Sequence, residues 1–204
     1  MAIQTCFFDM GNVLVHFSHE KMCENMASLT GLETGKIAET LLGSGLQWQL
    51  ERGQISEEEF HSSFERALGL TVSFEDLKLA AADIFWLNDS IVPLIGELKA
   101  LGVRLVLLSN TSITHLRFIQ ERYEFLNLFD ALTTSFQVGA LKPDPAIYED
   151  ALLKANCKPE ECFYTDDIEE YVLKARTFGI KAEVYTETES TRLALASLGV
   201  ALGS

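Results

Sequence analysis

The rhythm of apolar and polar positions changes twice along the chain. Residues 3–8, IQTCFF, form a short β-prone run that ends at Asp9. From about residue 18 to 87 the pattern is helical. SEEEF at 56–60 is a capping box, Ser56 with Glu59, and it opens a helix that carries Phe60, Phe64 and Leu68 on one face. Ser73 with Asp76 starts another helix in the same way, and the breaks between helices (TGLETG, GSG, RGQ, LGLTVS) all contain glycine. No strand is expected in this stretch.

After residue 90 helices and strands alternate. SIVPLIGELKALG reads as a helix ending at Gly102, and VRLVLL at 103–108 as a strand buried on both faces. A helix at about 112–123 follows, then ALTTS (131–135) as a strand and PAIYEDALLKAN (145–156) as a helix. ECFYT, IEEYVLKARTFG, KAEVY and STRLALASLG continue as strand, helix, strand, helix. Alternation at these lengths predicts right-handed βαβ units and a parallel sheet. The expected fold is α/β with a Rossmann-like parallel sheet. Residues 1–17 and 88–204 form its core, and 18–87 are an all-helical cap inserted after the first strand.

Composition narrows the function. The chain has 204 residues, 48% hydrophobic and 23% charged, enough for a substantial core. Its net charge of −14 repels polyanions, which argues against nucleic acid as a partner. No signal peptide and no apolar run long enough to span a bilayer is expected. The cysteines (Cys6, Cys23, Cys157, Cys162) show no CxxC pairing, and three lie in apolar segments, so a reducing cytoplasmic setting is expected. A monomer or weak dimer acting on a small molecule suits this profile.

Ligands of open parallel sheets bind beyond the C-terminal ends of the strands. Those ends carry Asp9 after the first strand and Ser109, Asn110 and Thr111 after VRLVLL. Lys142 lies in the loop after ALTTS, and Asp166 and Asp167 follow ECFYT. Alone, each is an ordinary turn or cap residue. Together they form a coherent set. Asp9 and Asp166 offer hard oxygen ligands for Mg²⁺, Lys142 and Ser109 can hold phosphoryl oxygens, and Asp9 can attack phosphorus to form an aspartyl-phosphate that water then hydrolyses.

These residues carry a resemblance. FFDMGNVL, LLSNTS, LKPDPAIY and YTDD resemble the four motifs of the haloacid dehalogenase superfamily, most closely its phosphatase branch, and residues 18–87 sit where that superfamily inserts a helical cap. The Asp-x-Gly-Asn-Val opening and QLERGQISEEEF at 49–60 are similar to a subgroup acting on sugar phosphates such as glucose 1-phosphate. The resemblance implies Asp9 as nucleophile and Mg²⁺ ligand, with Gly11 ligating through its backbone carbonyl. It implies Ser109 and Asn110 on the phosphoryl group, Lys142 stabilising its charge, Asp166 as a direct metal ligand and Asp167 just outside.

One departure bears on mechanism. The common phosphatase form has a second aspartate where Gly11 stands, and that acid protonates the leaving alcohol. His16 and His19, just past the motif, could lean into the site, although surface histidines at a hinge are the plainer reading. Glu170 and Tyr171 also depart from related patterns after the fourth motif. In the cap, Gln47, Trp48, Glu51 and Arg52 are candidates for substrate contact, with Trp48 stacking on a sugar face and Arg52 steadying an anion. The alternatives are cap core for Trp48 and a solvated helix end for Glu51 and Arg52.

Three rivals stay open. A metal-independent haloacid dehalogenase fits the superfamily, but the Asp166–Asp167 pair speaks against it. A phospho-acceptor signalling module gathers similar groups, but with its acidic pair first in the chain. A catalytically weakened binding or regulatory protein is kept in view by Gly11.

Overall fold

The computed structural model describes residues 2–203. Seven strands form: β1 (Thr5–Phe8), β2 (Val15–Phe17), β3 (Phe85–Leu87), β4 (Arg104–Ser109), β5 (Ala131–Thr134), β6 (Cys162–Asp166) and β7 (Lys181–Val184). Between β2 and β3 lie α1 (His19–Thr30), α2 (Thr34–Ala38), a π-helical turn (Glu39–Gly43), α3 (Leu46–Glu51), α4 (Glu57–Leu68) and α5 (Phe74–Ala82). The remaining helices are α6 (Val92–Ala100), α7 (Ile113–Arg122), α8 (Ser135–Val138), α9 (Pro145–Ala155), α10 (Glu169–Arg176) and α11 (Thr188–Ser197). Among the described residues, no helix is long and apolar enough to cross a membrane.

The main sheet has five parallel strands in the order β5-β4-β1-β6-β7. Its central strand, TCFF, is buried throughout because helices cover both faces. Strand alternation divides the side chains between two apolar layers. Cys6, Phe8, Leu105, Leu107 and Phe163 face one layer, and Phe7, Val106, Leu108, Cys162 and Tyr164 face the other. The chain leaves β1 towards β4 on one side and later returns to β6 on the other. The crevice at this reversal of strand order lies beyond the ends of β1 and β6, where ligands of such sheets bind.

One expectation is corrected. Residues 85–87, expected to be helical, form β3 and pair antiparallel with β2: Val15 with Leu87, His16 with Trp86, Phe17 with Phe85. Both chain crossings between sheet and helical insert run side by side here, and the pairing satisfies their backbone groups. Three-residue strands are too short to show an alternating pattern in sequence.

Capping sets the helices of the insert. Ser56 and Glu59 make both hydrogen bonds of the capping box on α4, and Ser73 caps α5 by accepting from the Asp76 N–H. Phe60 and Phe64 of α4 are buried in the insert core. Two contacts dock the insert on the sheet domain. Glu57 accepts the Thr114 hydroxyl at 2.7 Å and the Arg117 guanidinium at 3.0 Å. Gly53, with φ of +62°, lies so close to α8 that a β-carbon would come within 2.2 Å of the Phe136 carbonyl oxygen.

Gly53→Ala therefore meets both an unfavourable left-handed backbone and a backbone clash. The left-handed conformation alone costs about 1–2 kcal/mol for an L-residue with a β-carbon. The expected outcome is a lower urea midpoint and faster proteolytic cleavage around residues 52–55, which limited proteolysis reads directly.

Candidate active site

The ends of β1, β4 and β6 meet over the crevice. Asp9 follows Phe8 directly, and its N–H donates to the Thr165 carbonyl at 3.1 Å, which fixes it beside the end of β6. A tight turn follows. The N–H groups of Leu14 and Val15 both donate to the Met10 carbonyl, and Asn12 adopts φ of +54°, a left-handed conformation that asparagine tolerates better than most residues. The turn exposes the Gly11 backbone to the cavity.

Lys142 is the centre of the site. Its side chain is buried, and Nζ lies 2.8 Å from Asp9 Oδ1 and 2.6 Å from Asp166 Oδ2. Nζ also donates to the Leu108 carbonyl at 3.1 Å and the Tyr164 hydroxyl at 3.2 Å. Burial alone would depress the lysine's pKa, but the Asp166 and Asp9 carboxylates hold it above the usual value. The loop that delivers the lysine is clamped by Asn110. Its Oδ1 accepts the Lys142 N–H at 2.7 Å, and its Nδ2 donates to the Lys142 carbonyl at 3.2 Å.

Three acids share this one cation. Carboxylate oxygens of Asp9, Asp166 and Asp167 all lie within 4.8 Å of one another. Burial pushes Asp9 up to about 7, Lys142 opposes that, and Asp166 and Asp167 add to it. Asp167 is also raised, first by burial. Three carboxylates against one ammonium leave two negative charges in a confined space. That donor set, hard oxygens with excess negative charge, fits a divalent cation such as Mg²⁺.

The structure gives the paired acids different surroundings. Asp166 is fully buried, and both of its oxygens are occupied by protein donors. Oδ1 accepts the Ile168 N–H at 2.8 Å, while Oδ2 accepts Lys142 Nζ and the Tyr164 hydroxyl. Asp167 lines the cavity with Asp9, and its Oδ2 accepts Asn12 Nδ2 at 3.0 Å. Asp167 is thus the acid turned to the cavity, and Asp166 is the acid turned to the lysine. The neighbours Asn12 and Tyr164 had no expected role. Asn12 reads in sequence as a turn residue and Tyr164 as strand core.

Other expectations divide as follows. Asn110 and Thr111 line the cavity, but the Asn110 side chain is engaged in its clamp on Lys142. Ser109 is 1% exposed and directs its hydroxyl at the Asn110 carbonyl, 3.4 Å away. Glu170 is exposed on α10, whereas Tyr171 lies in the cavity wall with Lys142 Nζ 5.2 Å from its ring centroid. From the insert, Trp48, Glu51 and Arg52 all line the cavity, while Gln47 is buried behind them. His16 does not join them. It belongs to the β2–β3 ribbon, and its ring lies 5.8 Å from Trp86, because the side-chain alternation that brings Phe17 inwards turns His16 away. His19 does line the cavity, with its ring 5.1 Å from Phe17 and 6.0 Å from Trp48. The cavity, a cleft open on one side, measures about 800 Å³, enough for a small metabolite.

Phe17 explains the residue at position 11. A β-carbon on Gly11 would stand 2.8 Å from the Phe17 ring, so a side chain there would require that ring to shift.

Comparisons with known proteins agree with this architecture. The chain matches the haloacid dehalogenase-like hydrolase family over residues 3–176. It is 26% identical to a sesquiterpene phosphatase of Aspergillus oryzae over 96% of both chains. It is 25% identical to a D-ribitol-5-phosphate phosphatase of Bacteroides thetaiotaomicron, covering 81% of this chain and 83% of that one. A HAD family enzyme of Bacteroides thetaiotaomicron, solved with magnesium and inorganic phosphate, superposes with a TM-score of 0.81 at 24% identity, over 91% of this chain and 95% of that one. The chain belongs to the haloacid dehalogenase-like hydrolase family, on the branch whose named relatives are phosphatases.

Proposed function

We propose that the protein is a Mg²⁺-dependent phosphatase that hydrolyses a small phosphate ester, a sugar or polyol phosphate, through an aspartyl-phosphate on Asp9. The observation that carries this reading is the cluster of three carboxylates around one buried lysine, opening into a cleft of metabolite size. Asp9, Asp167 and the Gly11 carbonyl would hold the metal. When bound, Mg²⁺ would neutralise the excess carboxylate charge and polarise the phosphoryl oxygens.

The chain's own residues supply the rest. An Asp9 carboxylate oxygen attacks phosphorus, the bond from phosphorus to the ester oxygen breaks, and the electron pair leaves with that oxygen. Lys142, oriented by Asp166 and Tyr164, meets the negative charge that develops on the phosphoryl oxygens. Water then attacks the aspartyl-phosphate and regenerates Asp9. The docked insert excludes bulk water during these steps. Trp48 and Arg52 face the leaving group, and an aromatic face beside a cation suits a hydroxylated carbon skeleton with its phosphate. The ribitol-phosphate relative supports a polyol substrate, while the sesquiterpene relative marks an apolar skeleton as the alternative that a substrate panel separates. The cluster of three carboxylates suits a metal-assisted reaction better than metal-independent dehalogenation.

Phosphate release from a panel of sugar, polyol and prenyl phosphates, with Mg²⁺ and with EDTA, tests the reading. Wild type releases phosphate only with Mg²⁺, and Asp9→Asn releases none. Failure of every substrate, including an activated aryl phosphate, would sink it and favour a binding protein. Asn12→Gly keeps the backbone freedom that φ of +54° needs but deletes the amide that orients Asp167. Loss of such an outer partner weakens metal affinity by about 10–100-fold, which a Mg²⁺ titration of activity reads. Gly11→Asp is expected to gain no activity and to lose stability by about 1–3 kcal/mol through overpacking against Phe17. Adding Phe17→Ala recovers part of that loss in urea unfolding.

A further inference from the structure

We propose that Glu51 is the proton donor to the leaving oxygen, a carboxyl carried into the catalytic cavity by the helical insert in place of the acid that Gly11 does not provide. The proposal rests on the phosphatase reading above. It identifies one residue of the insert as a reacting group rather than a mere wall of the cavity.

Three features of the geometry support it. First, position 11 supplies no side-chain acid, and the Phe17 ring stands over it, 2.8 Å from where a β-carbon would be. Second, Glu51 ends α3 and lines the same cavity as Asp9 and Lys142, yet its side chain is 6% exposed. Third, its surroundings suit a neutral carboxylic acid. Oε1 accepts Gln47 Nε2 at 2.9 Å, Oε2 has no protein hydrogen-bond partner among the described residues, and no cation forms an ion pair with either oxygen. An amide donor on Oε1 leaves the acid proton on Oε2, free to face the cavity. Gln47, itself buried, is the positioning residue. Gly53 against the Phe136 carbonyl and Glu57 on Thr114 and Arg117 hold this end of the insert over the strand ends.

The other groups around the cavity are unsuited to the task. His115 on α7 is buried against Phe85, and burial lowers it to about 4, so it carries no proton to give near neutrality. Burial also lowers His19 on α1. Lys142 is engaged with two carboxylates, Asp167 with Asn12, and Asp144 with the N-terminus of α9. Behind Glu51 on α4, Glu57 is tied to α7 and His61 contacts the Val72 carbonyl at 2.9 Å. Glu39 in the π-helical turn pairs with Lys36. Burial pushes Glu51 up to about 7, against the smaller downward pulls of the Gln47 hydrogen bond and Arg52. A general acid is most effective with a pKa near the working pH.

The step balances simply. As the bond between phosphorus and the ester oxygen breaks, the departing oxygen takes the electron pair and the proton from Glu51 Oε2, leaving as the alcohol. Glu51 is left as a carboxylate and regains a proton from bulk water after product departs.

The test compares kcat/KM for the best alkyl phosphate of the panel with that for an aryl phosphate whose leaving group needs no proton, from pH 5.5 to 9. In wild type the alkyl reaction falls as pH rises through about 7, where Glu51 loses its proton, and the aryl reaction shows no such limb. Glu51→Gln is expected to lose about 10²–10⁴-fold on the alkyl ester, the usual worth of a general acid, with a far smaller loss on the aryl ester. Gln47→Met gives a second readout that does not depend on a Glu51 variant folding. Loss of the hydrogen bond that lowers Glu51 moves the alkaline limb to higher pH. Equal losses on both esters, an effect confined to KM, or an alkaline limb that persists in Glu51→Gln would each overturn the proposal. The phosphatase reading is judged separately, by Mg²⁺-dependent aryl phosphate hydrolysis that disappears in Asp9→Asn. It can stand when the Glu51 proposal falls.

Discussion

Everything at the strand ends depends on one buried ammonium. Lys142 places a positive charge between Asp9 and Asp166 while Asp167 stands close by. An isolated buried carboxylate is strongly disfavoured, and three together more so. The ammonium makes such a cluster tenable, and its imbalance leaves a demand for further positive charge. The fold serves that lysine in turn. Asn110 holds its backbone on both sides, and Leu108, Tyr164 and Asp166 fix its head group. Removing one partner of a buried ion pair typically costs about 3–5 kcal/mol. The charge presented to the cavity and the stability of the strand ends are therefore set by the same few atoms.

The two neighbouring acids illustrate how burial divides labour between identical side chains. Asp166 ends β6 and points into the protein, where it serves the lysine. Asp167 is one residue further on, half-buried, and turned to the cavity. A single step along the chain thus separates a residue that holds the lysine from one that faces the cavity. Phe17 acts at the other end of the site. Its ring stands over Gly11, where any larger residue would have to displace it, and the site gains no acid from that position.

Much of this was legible in the sequence. Continuous β-branched and leucine runs such as VRLVLL announced strands buried on both faces, and the polar residues after each run marked the ligand-binding edge. The roles of individual side chains were less legible. Which of Asp166 and Asp167 turns inwards depends on the pleat of β6 and on donors contributed by Ile168 and Tyr164, and no spacing rule encodes that. His16 and Phe17 are adjacent in sequence but take opposite sides of a ribbon whose partner strand lies some 70 residues away, between residues 85 and 87. The ribbon itself left no periodic signal, because three residues on each side make less than two repeats of an alternating pattern.

That ribbon has a mechanical consequence. The insert is joined to the sheet domain by β2 and β3, and these two crossings are hydrogen-bonded to each other in register. Two independent tethers would let the insert swivel and drift. A paired ribbon resists twisting, since rotation about its length would pull its own register apart, but it can flex across its face. Bending across the ribbon is thereby left as the freest motion of the insert. The pairing of two short crossings thus fixes the orientation in which Trp48, Glu51 and Arg52 are presented to the cavity, so their alignment comes from the linkage itself.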